Sequence, residues 1–247
     1  MILKKWEELP IELQTEEVRK YYDILSRKKV SLFFKRIFDI FVSAIMLVML
    51  SPLFIILGIA IKIDSEGPIF YRQIRVTQYN RKFRIFKFRS MVQGADRGSQ
   101  VTINDDMRIT RVGRAVRKYR LDEISQLIDV FRGTMTFVGT RPESLKYVEA
   151  YTPEMMATLL LPAGVTSLAS IYFKDEAELL DNVEDIDKVY TEQILPAKMY
   201  YNLKEIEQFS FWGDIKIMFM TFFAVLGKEY HHELEIDNRK SKEVQKI

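Results

Sequence analysis

The stretch that decides the fold runs from Ile40 to Ile61 and reads IFVSAIMLVMLSPLFIILGIAI. It contains 22 residues and no charge. As one helix it would reach about 33 Å, which is enough to cross the hydrocarbon core of a bilayer. A buried helix of a soluble protein is the alternative, but helices of that kind are usually shorter. The length therefore favours a membrane segment.

Two features of the flanks and the centre argue against a simple span. Ser51-Pro52 lies in the middle, where proline removes a helix hydrogen bond and bends or breaks the helix. Positive charge also flanks both ends, which favours the cytoplasm for both sides. The flanking cations are Arg27, Lys28, Lys29, Lys35 and Arg36 before the segment, and Lys62, Arg72 and Arg75 after it. The pattern predicts a re-entrant hairpin that breaks at Ser51-Pro52 and returns to the same face.

The composition of the chain excludes several kinds of chemistry. There is no cysteine, so neither a disulfide nor a thiolate nucleophile can form. The only histidines, His231 and His232, are adjacent in a polar tail, which argues against a histidine triad or a zinc cluster. Residues 1–30 are polar and charged, and no cleavage pattern follows the apolar run, so a secretory signal is not expected.

The net charge of +3 hides a strong asymmetry. Residues 72–120 contain 14 Lys or Arg and 3 Asp or Glu, whereas residues 174–208 contain 4 and 10. The basic block could meet nucleic acid, an anionic lipid or a phosphorylated small molecule, or it could be a solvated surface.

Turn and strand signals predict the elements that follow the membrane segment. Ile69–Val76 and Phe83–Phe88 are predicted to be two strands of a β-hairpin, because both are rich in Ile, Phe and Tyr and flank a polar turn. Arg108–Val130 has helical character, with a break expected at Gly113 and an end at Gly133. Two further turns are predicted, at Gly139 to Pro142 and at Pro162 to Gly164.

The C-terminal part of the chain is predicted to be helical. Asp175–Leu203 is acidic, with an interruption expected at Pro196. Phe211–Leu226 is apolar almost all round but short for a membrane span, so it is either an interfacial helix or a buried core helix.

The candidate chemistry centres on the adjacent carboxylates Asp122 and Glu123, which close a segment crowded with arginines. A carboxylate can be a nucleophile or a metal ligand, and guanidinium groups bind phosphate well. Further cations recur near the dyad. Lys87 and Arg89 alternate on a predicted strand, Arg114, Arg117 and Lys118 share a predicted helix face, and Arg141 lies in a Gly-Pro turn. The pattern indicates phosphate chemistry at a membrane surface, although each cation alone could simply be a salt-bridge partner.

Taken together and in order, these motifs resemble the bacterial sugar transferase family, the monotopic phosphoglycosyl transferases. The resemblance covers about residues 33–225. It rests on Lys35-Arg-Ile-Phe-Asp39, Ser51-Pro52, Gly67-Pro-Ile-Phe-Tyr-Arg-Gln-Ile-Arg75, Phe86-Lys-Phe-Arg-Ser-Met91, Arg111-Val-Gly-Arg-Ala-Val-Arg117, Leu121-Asp-Glu-Ile-Ser-Gln126, Val138-Gly-Thr-Arg-Pro-Glu143, Pro162-Ala-Gly-Val-Thr166 and Ser210-Phe-Trp-Gly-Asp-Ile-Lys216.

The resemblance implies an α+β fold, in which a small, mostly helical cytoplasmic catalytic domain with a short β-hairpin is anchored by a re-entrant, broken membrane helix. The expected divisions are an exposed, partly helical extension over 1–30, the membrane hairpin over 31–63, the catalytic domain with an interfacial C-terminal helix over 64–227, and a polar tail over 228–247. The expected location is the cytoplasmic face of a bacterial inner membrane.

The resemblance also implies the reaction and the residues that perform it. The enzyme would transfer a sugar phosphate from a UDP-sugar to undecaprenyl phosphate, release UMP and so begin glycan synthesis. Asp122 would be the nucleophile that forms a covalent intermediate, and Glu123 would help hold Mg²⁺. Lys87, Arg89, Arg114, Arg117 and Arg141 would bind the substrate phosphates. The physics is consistent, because two anionic substrates must approach each other and an ionised aspartate needs no activating base.

Some positions depart from the pattern of the family. Thr140 stands where proline is usual, and Ser167, Leu168 and Ser170 change a loop that is expected to line the substrate site. Asn202 stands where an aspartate is common, and an amide cannot supply an anionic ligand.

Two other interpretations compete with the transferase. One is a catalytically impaired membrane scaffold of the same fold, which Asn202 motivates and the intact Asp122, Glu123 and Arg141 oppose. The other is a single-pass protein with a basic nucleic-acid-binding domain, for which the sequence contains no motif. We therefore expect a membrane, a UDP-sugar and a polyprenol phosphate as partners, and no nucleic acid. Homo-oligomerisation stays open, as do the identity of the sugar and the glycan pathway.

Overall fold

The apolar segment forms two helices with a sharp bend between them. The computed structural model describes residues 3–95, 107–174, 176 and 185–230. Helix α1 spans Glu16–Ser26, α2 spans Lys29–Met49 and α3 spans Ser51–Asp64. No single helix in the described ranges is long and apolar enough to cross a membrane, but α2 and α3 together are, with a bend of 60° between them.

The bend lies at the residues that the sequence indicates. Leu50 separates the helices, and Pro52 falls in the first turn of α3, where its missing N–H leaves no helix bond unmade. The hydroxyl of Ser51 donates to the carbonyl of Val48 at 2.8 Å and so satisfies an end of α2. The predicted break at Ser51-Pro52 is confirmed, whereas the return to the same membrane face stays a prediction.

The rest of the described chain alternates short strands and short helices. In chain order these are β1 Phe70–Tyr71, β2 Ile74–Thr77, β3 Arg81–Arg84, β4 Lys87–Phe88, α4 Arg111–Lys118, α5 Leu127–Arg132, β5 Met135–Val138, α6 Leu145–Val148, β6 Ala163–Thr166, α7 Leu168–Tyr172, α8 Ile186–Val189, α9 Leu195–Glu207 and α10 Phe211–Val225. The architecture is mixed and mostly helical, which confirms the α+β prediction at that level.

The predicted β-hairpin is present in two connected pieces. Strands β2 and β3 pair antiparallel around a short 3₁₀ turn, and β1 and β4 continue the pairing, with Tyr71 opposite Lys87. Residues opposite each other in antiparallel strands place their side chains on one face, so Tyr71 and Lys87 are neighbours.

A second strand pair was not predicted from the sequence. β5 and β6 run parallel, and Met135 is aligned with Ala163. The prediction of a loop at Pro162 to Gly164 is therefore wrong for Ala163 and Gly164, because both belong to β6. Strands of four residues buried between helices give little periodicity to detect, which explains the miss.

The helix predicted over Arg108–Val130 is broken, but not at Gly113. Gly113 lies inside α4, and its N–H is capped by the Thr110 hydroxyl at 2.9 Å. Glycine is required there because a Cβ would collide with the carbonyl of Ser90. The break comes after α4, and Gly133 ends α5 in the left-handed conformation (φ 84°), as predicted.

The N-terminal segment is part of the core, so the prediction of an exposed extension is wrong. Helix α1 is amphipathic, and Leu13, Val18 and Leu25 are fully buried against the residues that follow α6. The Tyr21 hydroxyl donates to the Glu154 carboxylate at 2.7 Å, and this hydrogen bond also joins α1 to the residues that follow α6.

The C-terminal helices agree with the predictions in outline. Between α8 and α9 the chain forms a π-helical turn over Tyr190–Ile194, and Pro196 lies in the first turn of α9 rather than interrupting it. Residues 175 and 177–184 of the predicted acidic helix lie outside the described residues, as do His231 and His232 of the tail. Helix α10 is not buried all round. Its exposed apolar side chains are Trp212, Phe219, Phe222, Phe223, Val225 and Leu226.

A set of buried polar contacts fixes α2 to the rest of the domain. The Lys35 ammonium bonds Asp214 Oδ2 at 2.5 Å and the Val138 carbonyl at 2.7 Å. The Asp39 carboxylate accepts from the Thr136 hydroxyl at 2.8 Å and the Phe137 N–H at 3.2 Å. We call Lys35, Asp39 and Asp214 the anchor cluster. It joins the entrance of the apolar helix to β5 and α10.

Candidate active site

Strand β4 and the turn after α4 bring Lys87 to the two adjacent carboxylates. The N–H of Phe88 donates to the Asp122 carbonyl at 3.0 Å and ties the strand to this turn. Lys87 Nζ lies 3.5 Å from Glu123 Oε1.

The turn that presents the carboxylates contains a strained residue. Arg120 has a φ of 51°, which costs a non-glycine residue about 1–2 kcal/mol. The conformation is held by the Leu121 N–H, which donates to the Val116 carbonyl at 2.8 Å, and by the Gln126 N–H, which donates to the Glu123 carbonyl at 2.9 Å. The chain leaves α4 sharply, so Asp122 and Glu123 stand between two helices instead of inside one.

Glu123 is bound by two cations. Arg141 forms a bidentate ion pair with both oxygens of its carboxylate. Lys87 approaches Oε1, the oxygen that Arg141 Nη2 also binds. Burial alone would raise the pKa of Glu123, but the charges of Arg141 and Lys87 and the hydrogen bond from Arg141 bring it well below its usual value. Glu123 is therefore a permanent anion.

Asp122 has a different environment although it is the adjacent residue. In the described part of the chain its carboxylate forms no ion pair, and its hydrogen bond comes from its own backbone N–H. Burial raises the pKa of Asp122, the charge of Lys87 opposes that rise, and the charge of Glu123 adds to it. The charges of Lys87 and Arg117 both act on the carboxylate, and neither cation forms an ion pair with it among the described residues. We call Lys87, Asp122, Glu123 and Arg141 the dyad cluster.

Arg141 lies in a turn that backbone hydrogen bonds hold against the neighbouring strands. The Gly139 N–H donates to Thr166 at 2.9 Å, the Gly164 N–H to Thr140 at 2.8 Å, and the Val76 N–H to the carbonyl of Glu143 at 3.1 Å. A Cβ at Gly164 would collide with the backbone of Gly139, so glycine permits the close approach. The turn is rigid because three backbone hydrogen bonds hold it, two to β6 and one to β2.

A buried network lies next to this turn. Glu143 accepts from the Tyr190 hydroxyl at 2.7 Å and lies 3.4 Å from Lys198 Nζ. Lys198 also bonds the Tyr190 oxygen and Glu176, both at 2.9 Å. Burial would raise the pKa of Glu143, but the charge of Lys198 and the bond from Tyr190 hold it below its usual value. Glu143 is therefore a buried anion that ties the Arg141 turn to α9.

The structure does not bring all the predicted cations to the dyad. The Arg89 guanidinium is buried and bonds the backbone carbonyls of Glu66 and Ser65, each at 2.7 Å, so it caps the end of α3 instead of facing a substrate. Arg114 is exposed on α4, where its charge acts on Asp64. Arg117 is closer to the chemistry, because its charge lowers the pKa of Asp122.

Other residues join the site without having been predicted. Arg75 bonds Gln73 at 2.8 Å and approaches the carbonyl of Pro142 at 3.4 Å, and its charge acts on Lys87. Its place in the motif of residues 67–75 was a usable signal, as was the position of Glu143 two residues after Arg141. Nothing in the sequence marks Lys198 or Tyr190, which come from distant helices.

Two of the departures from the family pattern meet in one small cavity beside the Arg141 turn. Thr140, Asn202, Glu205 and Asp214 contribute to its walls. Asn202 is buried, and its side-chain oxygen has no hydrogen-bond partner among the described residues. Burial raises the pKa of Glu205 to about 7, and a bond from the Leu168 N–H opposes that rise.

The donor set at the dyad suits a magnesium ion shared with a substrate. The described residues contain no group of three or more acidic, His or Cys side chains that could enclose a metal. Mg²⁺ is commonly held by one or two carboxylates together with substrate phosphates. Asp122 offers oxygens without an ion-pair partner, and Glu123 offers a carboxylate that stays ionised, so the residues present fit the ion.

The comparison with known families agrees with this geometry. The model of the family described as bacterial sugar transferase matches residues 30–228, which include the bent helix pair, the dyad cluster and α10. The chain belongs to the bacterial sugar transferase family.

Several curated proteins resemble this bacterial sugar transferase. A UDP-N-acetylgalactosamine-undecaprenyl-phosphate N-acetylgalactosaminephosphotransferase of Aeromonas hydrophila is 35% identical over 78% of the chain and 44% of its own length. A UDP-glucose:undecaprenyl-phosphate glucose-1-phosphate transferase of Klebsiella pneumoniae is 33% identical over 78% of the chain and 40% of its own length. A transferase of the latter name from Caulobacter vibrioides is 32% identical and is covered over 69% of its length. The chain therefore spans about two fifths of the length of the first two relatives and about two thirds of the third.

Proposed function

We propose that this protein transfers a sugar phosphate from a UDP-sugar to undecaprenyl phosphate, with Asp122 as the nucleophile. The observation that carries the proposal is the contrast inside the dyad. Glu123 is neutralised by Arg141 and Lys87, whereas the carboxylate of Asp122 has no ion-pair partner in the described chain. The names of the curated relatives support the donor and acceptor classes.

The first step is an attack by an Asp122 oxygen on the phosphorus that carries the sugar. The new bond joins that oxygen to phosphorus, and the bond from phosphorus to the bridging oxygen breaks. The electron pair leaves with UMP. Asp122 then carries a sugar phosphate as an acyl phosphate, which divides a difficult displacement into two easier ones.

The second step transfers the sugar phosphate to the lipid. An oxygen of undecaprenyl phosphate attacks the same phosphorus, and the bond from phosphorus to Asp122 breaks. The product is a lipid diphosphate sugar, and Asp122 returns as a carboxylate. Neither step requires a proton to be removed from the nucleophile, so no histidine is needed as a base.

The cations of the dyad cluster stabilise the charge that develops on the phosphoryl group. Arg141 and Lys87 are held in place before substrate arrives, which is the condition for strong electrostatic stabilisation. Glu123, together with Asp122, would hold Mg²⁺, which supplies a Lewis acid for the phosphate oxygens when bound. Glu123 thus orients Arg141 and Lys87 and contributes a metal ligand.

Membrane anchorage is part of the proposal. The bent pair α2 and α3 exposes apolar side chains along its length, and Phe41, Val48, Met49 and Ile55 are more than half exposed. A continuous apolar surface that is exposed along two helices indicates an interaction with lipid or protein. We assign residues 31–63 to a re-entrant hairpin, 64–227 to a catalytic domain on the cytoplasmic face, and α10 to an interfacial helix.

The direct test is UMP release by the solubilised full chain with Mg²⁺, undecaprenyl phosphate and a panel of UDP-sugars. We expect release with at least one sugar, which would also identify the donor. Asp122→Asn should abolish release, whereas Asp23→Asn, which changes a partly exposed ion pair with Arg19 in α1, should not. If folded protein released no UMP from any sugar, the transferase would be refuted in favour of a membrane scaffold of the same fold.

A further inference from the structure

Three arginines gather on a surface away from the dyad. Arg72 lies on Phe86, with its guanidinium carbon 3.4 Å from the ring centre, and donates to the carbonyl of Arg84 at 2.5 Å. Arg132 belongs to α5, whose Asp129 accepts from the N–H of Phe86, the residue on which Arg72 lies, so α5 brings Arg132 to the same region. Arg84 and Arg132 are exposed. We call Arg72, Arg84 and Arg132 the arginine patch.

Among the described residues, no carboxylate forms an ion pair with the patch. The nearest carboxylate that acts on Arg72 is Asp129. Asp129 is buried and accepts from the Phe86 N–H at 2.8 Å and from the Thr134 hydroxyl at 3.2 Å. The charges of Arg72 and Arg132 also act on Asp129, but one carboxylate against three guanidinium groups leaves the patch with a net positive charge. Like charges repel, so a cluster of this kind is stabilised when an anion binds to it.

The position of the patch indicates where that anion would be. Arg132 ends α5, and Arg36 of α2 donates to the last carbonyls of the same helix, at Val130 (2.7 Å) and Phe131 (2.9 Å). Arg36 precedes the first residue of the charge-free stretch by four positions, which is about 6 Å along a helix. The end of α5 therefore lies at the level where α2 enters its apolar region.

The surroundings of the patch suit a lipid surface. Phe131 is 45% exposed and Ile74 is 44% exposed, so apolar side chains flank the arginines. Mixed aromatic and basic surfaces are typical of the membrane interface. A cation at the end of α5 is also favoured by the helix dipole, but this accounts for Arg132 and not for Arg72 or Arg84.

We propose that the arginine patch binds the phosphodiester headgroup of an acidic phospholipid and so fixes the orientation of the catalytic domain on the bilayer. This inference rests on the membrane anchorage given under the proposed function. Guanidinium groups can bind a phosphodiester through two parallel hydrogen bonds.

The test uses the full chain in uncharged detergent micelles, with phosphatidylglycerol or phosphatidylcholine added. The readout is the melting temperature, because a ligand of the folded state raises it by mass action. We expect phosphatidylglycerol to stabilise the wild type and phosphatidylcholine not to. Removal of two surface cations, at about 1 kcal/mol each, should weaken the apparent affinity of Arg84→Gln/Arg132→Gln about 30-fold.

A matched control removes the same charge elsewhere. Lys5→Gln/Lys188→Gln changes two exposed cations outside the patch and should respond like the wild type. Added salt should weaken the wild-type response, since exposed charges are screened. An unchanged response of the double arginine variant, or an equal response of the wild type to phosphatidylcholine, would overturn the proposal.

Undecaprenyl phosphate provides the second arm, because it carries a phosphate at the same level of the membrane. If the double arginine variant lost its response to undecaprenyl phosphate but kept its response to phosphatidylglycerol, the patch would bind the acceptor and not a phospholipid. The melting measurement needs no sugar donor. A failure of UMP release would therefore refute the proposed reaction and leave this result interpretable.

Discussion

The anchor cluster and the dyad cluster both combine lysine with acids, the first buried and the second half-buried, and they differ in how completely the acids are paired. In the anchor cluster Lys35 contacts Asp214 at 2.5 Å, and Asp39 accepts two hydrogen bonds from β5. In the dyad cluster Glu123 takes both cations, and Asp122 has no ion pair in the described chain.

The difference separates structure from chemistry. Asp214 and Asp39 are buried, and their oxygens already have partners inside the protein, so removing a partner leaves an uncompensated charge and lowers stability. Asp122 is half-buried, and the charges of Lys87 and Arg117 act on it without an ion pair among the described residues, so its oxygens stay available to a ligand. Asp122 and Asp214 are thus the same kind of side chain in opposite roles, and the two clusters can be tested against each other.

The largest effect is expected at the nucleophile. Asp122→Asn should lower turnover at least about 10⁴-fold, as removal of a catalytic nucleophile does in other enzymes. The melting temperature should stay within a few degrees of the wild type or rise, because the variant loses a carboxylate that burial and the charge of Glu123 disfavour. Turnover and thermal melting measured on one preparation check both statements. A stable protein with wild-type turnover would remove Asp122 from the mechanism.

The reverse pattern is expected in the anchor cluster. Lys35→Met leaves Asp214 buried without its cation and should cost about 3–5 kcal/mol of unfolding free energy. Denaturant unfolding of the wild type, the single variant and Lys35→Met/Asp214→Leu measures the loss. The double variant should recover most of it, since an apolar pair avoids the unpaired charge. If Lys35→Met had the unfolding free energy of the wild type, the anchor cluster would not be what holds α2 in place.

A smaller effect on activity is expected in the network behind Arg141. Lys198→Met leaves Glu143 buried without its cation and should let the Arg141 turn shift, which we expect to lower turnover about 10–100-fold. An unpaired buried charge also lowers the melting temperature, so steady-state kinetics should show the loss in kcat/KM for the UDP-sugar at a temperature where the variant is fully folded. The control is Lys146→Met, whose ion pair with Asp187 is exposed and should contribute little. Equal losses in the two variants would contradict a positioning role.

The smallest effect concerns the pH dependence. Asp122 reacts as an anion, so activity should be lost as the pH falls through its pKa, which burial raises above the ordinary value. The charge of Arg117 lowers that pKa, so Arg117→Gln should move the acid limb to higher pH. Arg114→Gln is the matched control, because Arg114 acts on Asp64. A shift to lower pH in the Arg117 variant would contradict the ionised nucleophile.

The parts of the fold that were predicted from the sequence are those with a strong local signal. The length of the charge-free stretch and Ser51-Pro52 predicted the broken helix, and the turn between two aromatic-rich runs predicted the hairpin. The parallel pair β5–β6 was missed because two buried strands of four residues have no distinctive period. The burial of α1 was missed because its partners lie more than a hundred residues away in the sequence.

The candidate site shows the same division. Asp122, Glu123, Lys87 and Arg141 were predicted by resemblance, and the structure brings them together. Arg89 was predicted from strand alternation, but the strand ends at Phe88 and the side chain turns to the end of α3. Lys198 and Tyr190 reach the site only through the packing of α9 and the π-helical turn, which no local pattern encodes.

The most direct test of the central claim is intact-protein mass spectrometry after incubation with Mg²⁺ and the UDP-sugar, without undecaprenyl phosphate. The account predicts a mass increase equal to one sugar phosphate, located on Asp122 by peptide mapping and absent from Asp122→Asn. Addition of undecaprenyl phosphate should remove it. Stoichiometric modification of another residue, or full turnover by Asp122→Asn, would contradict the account.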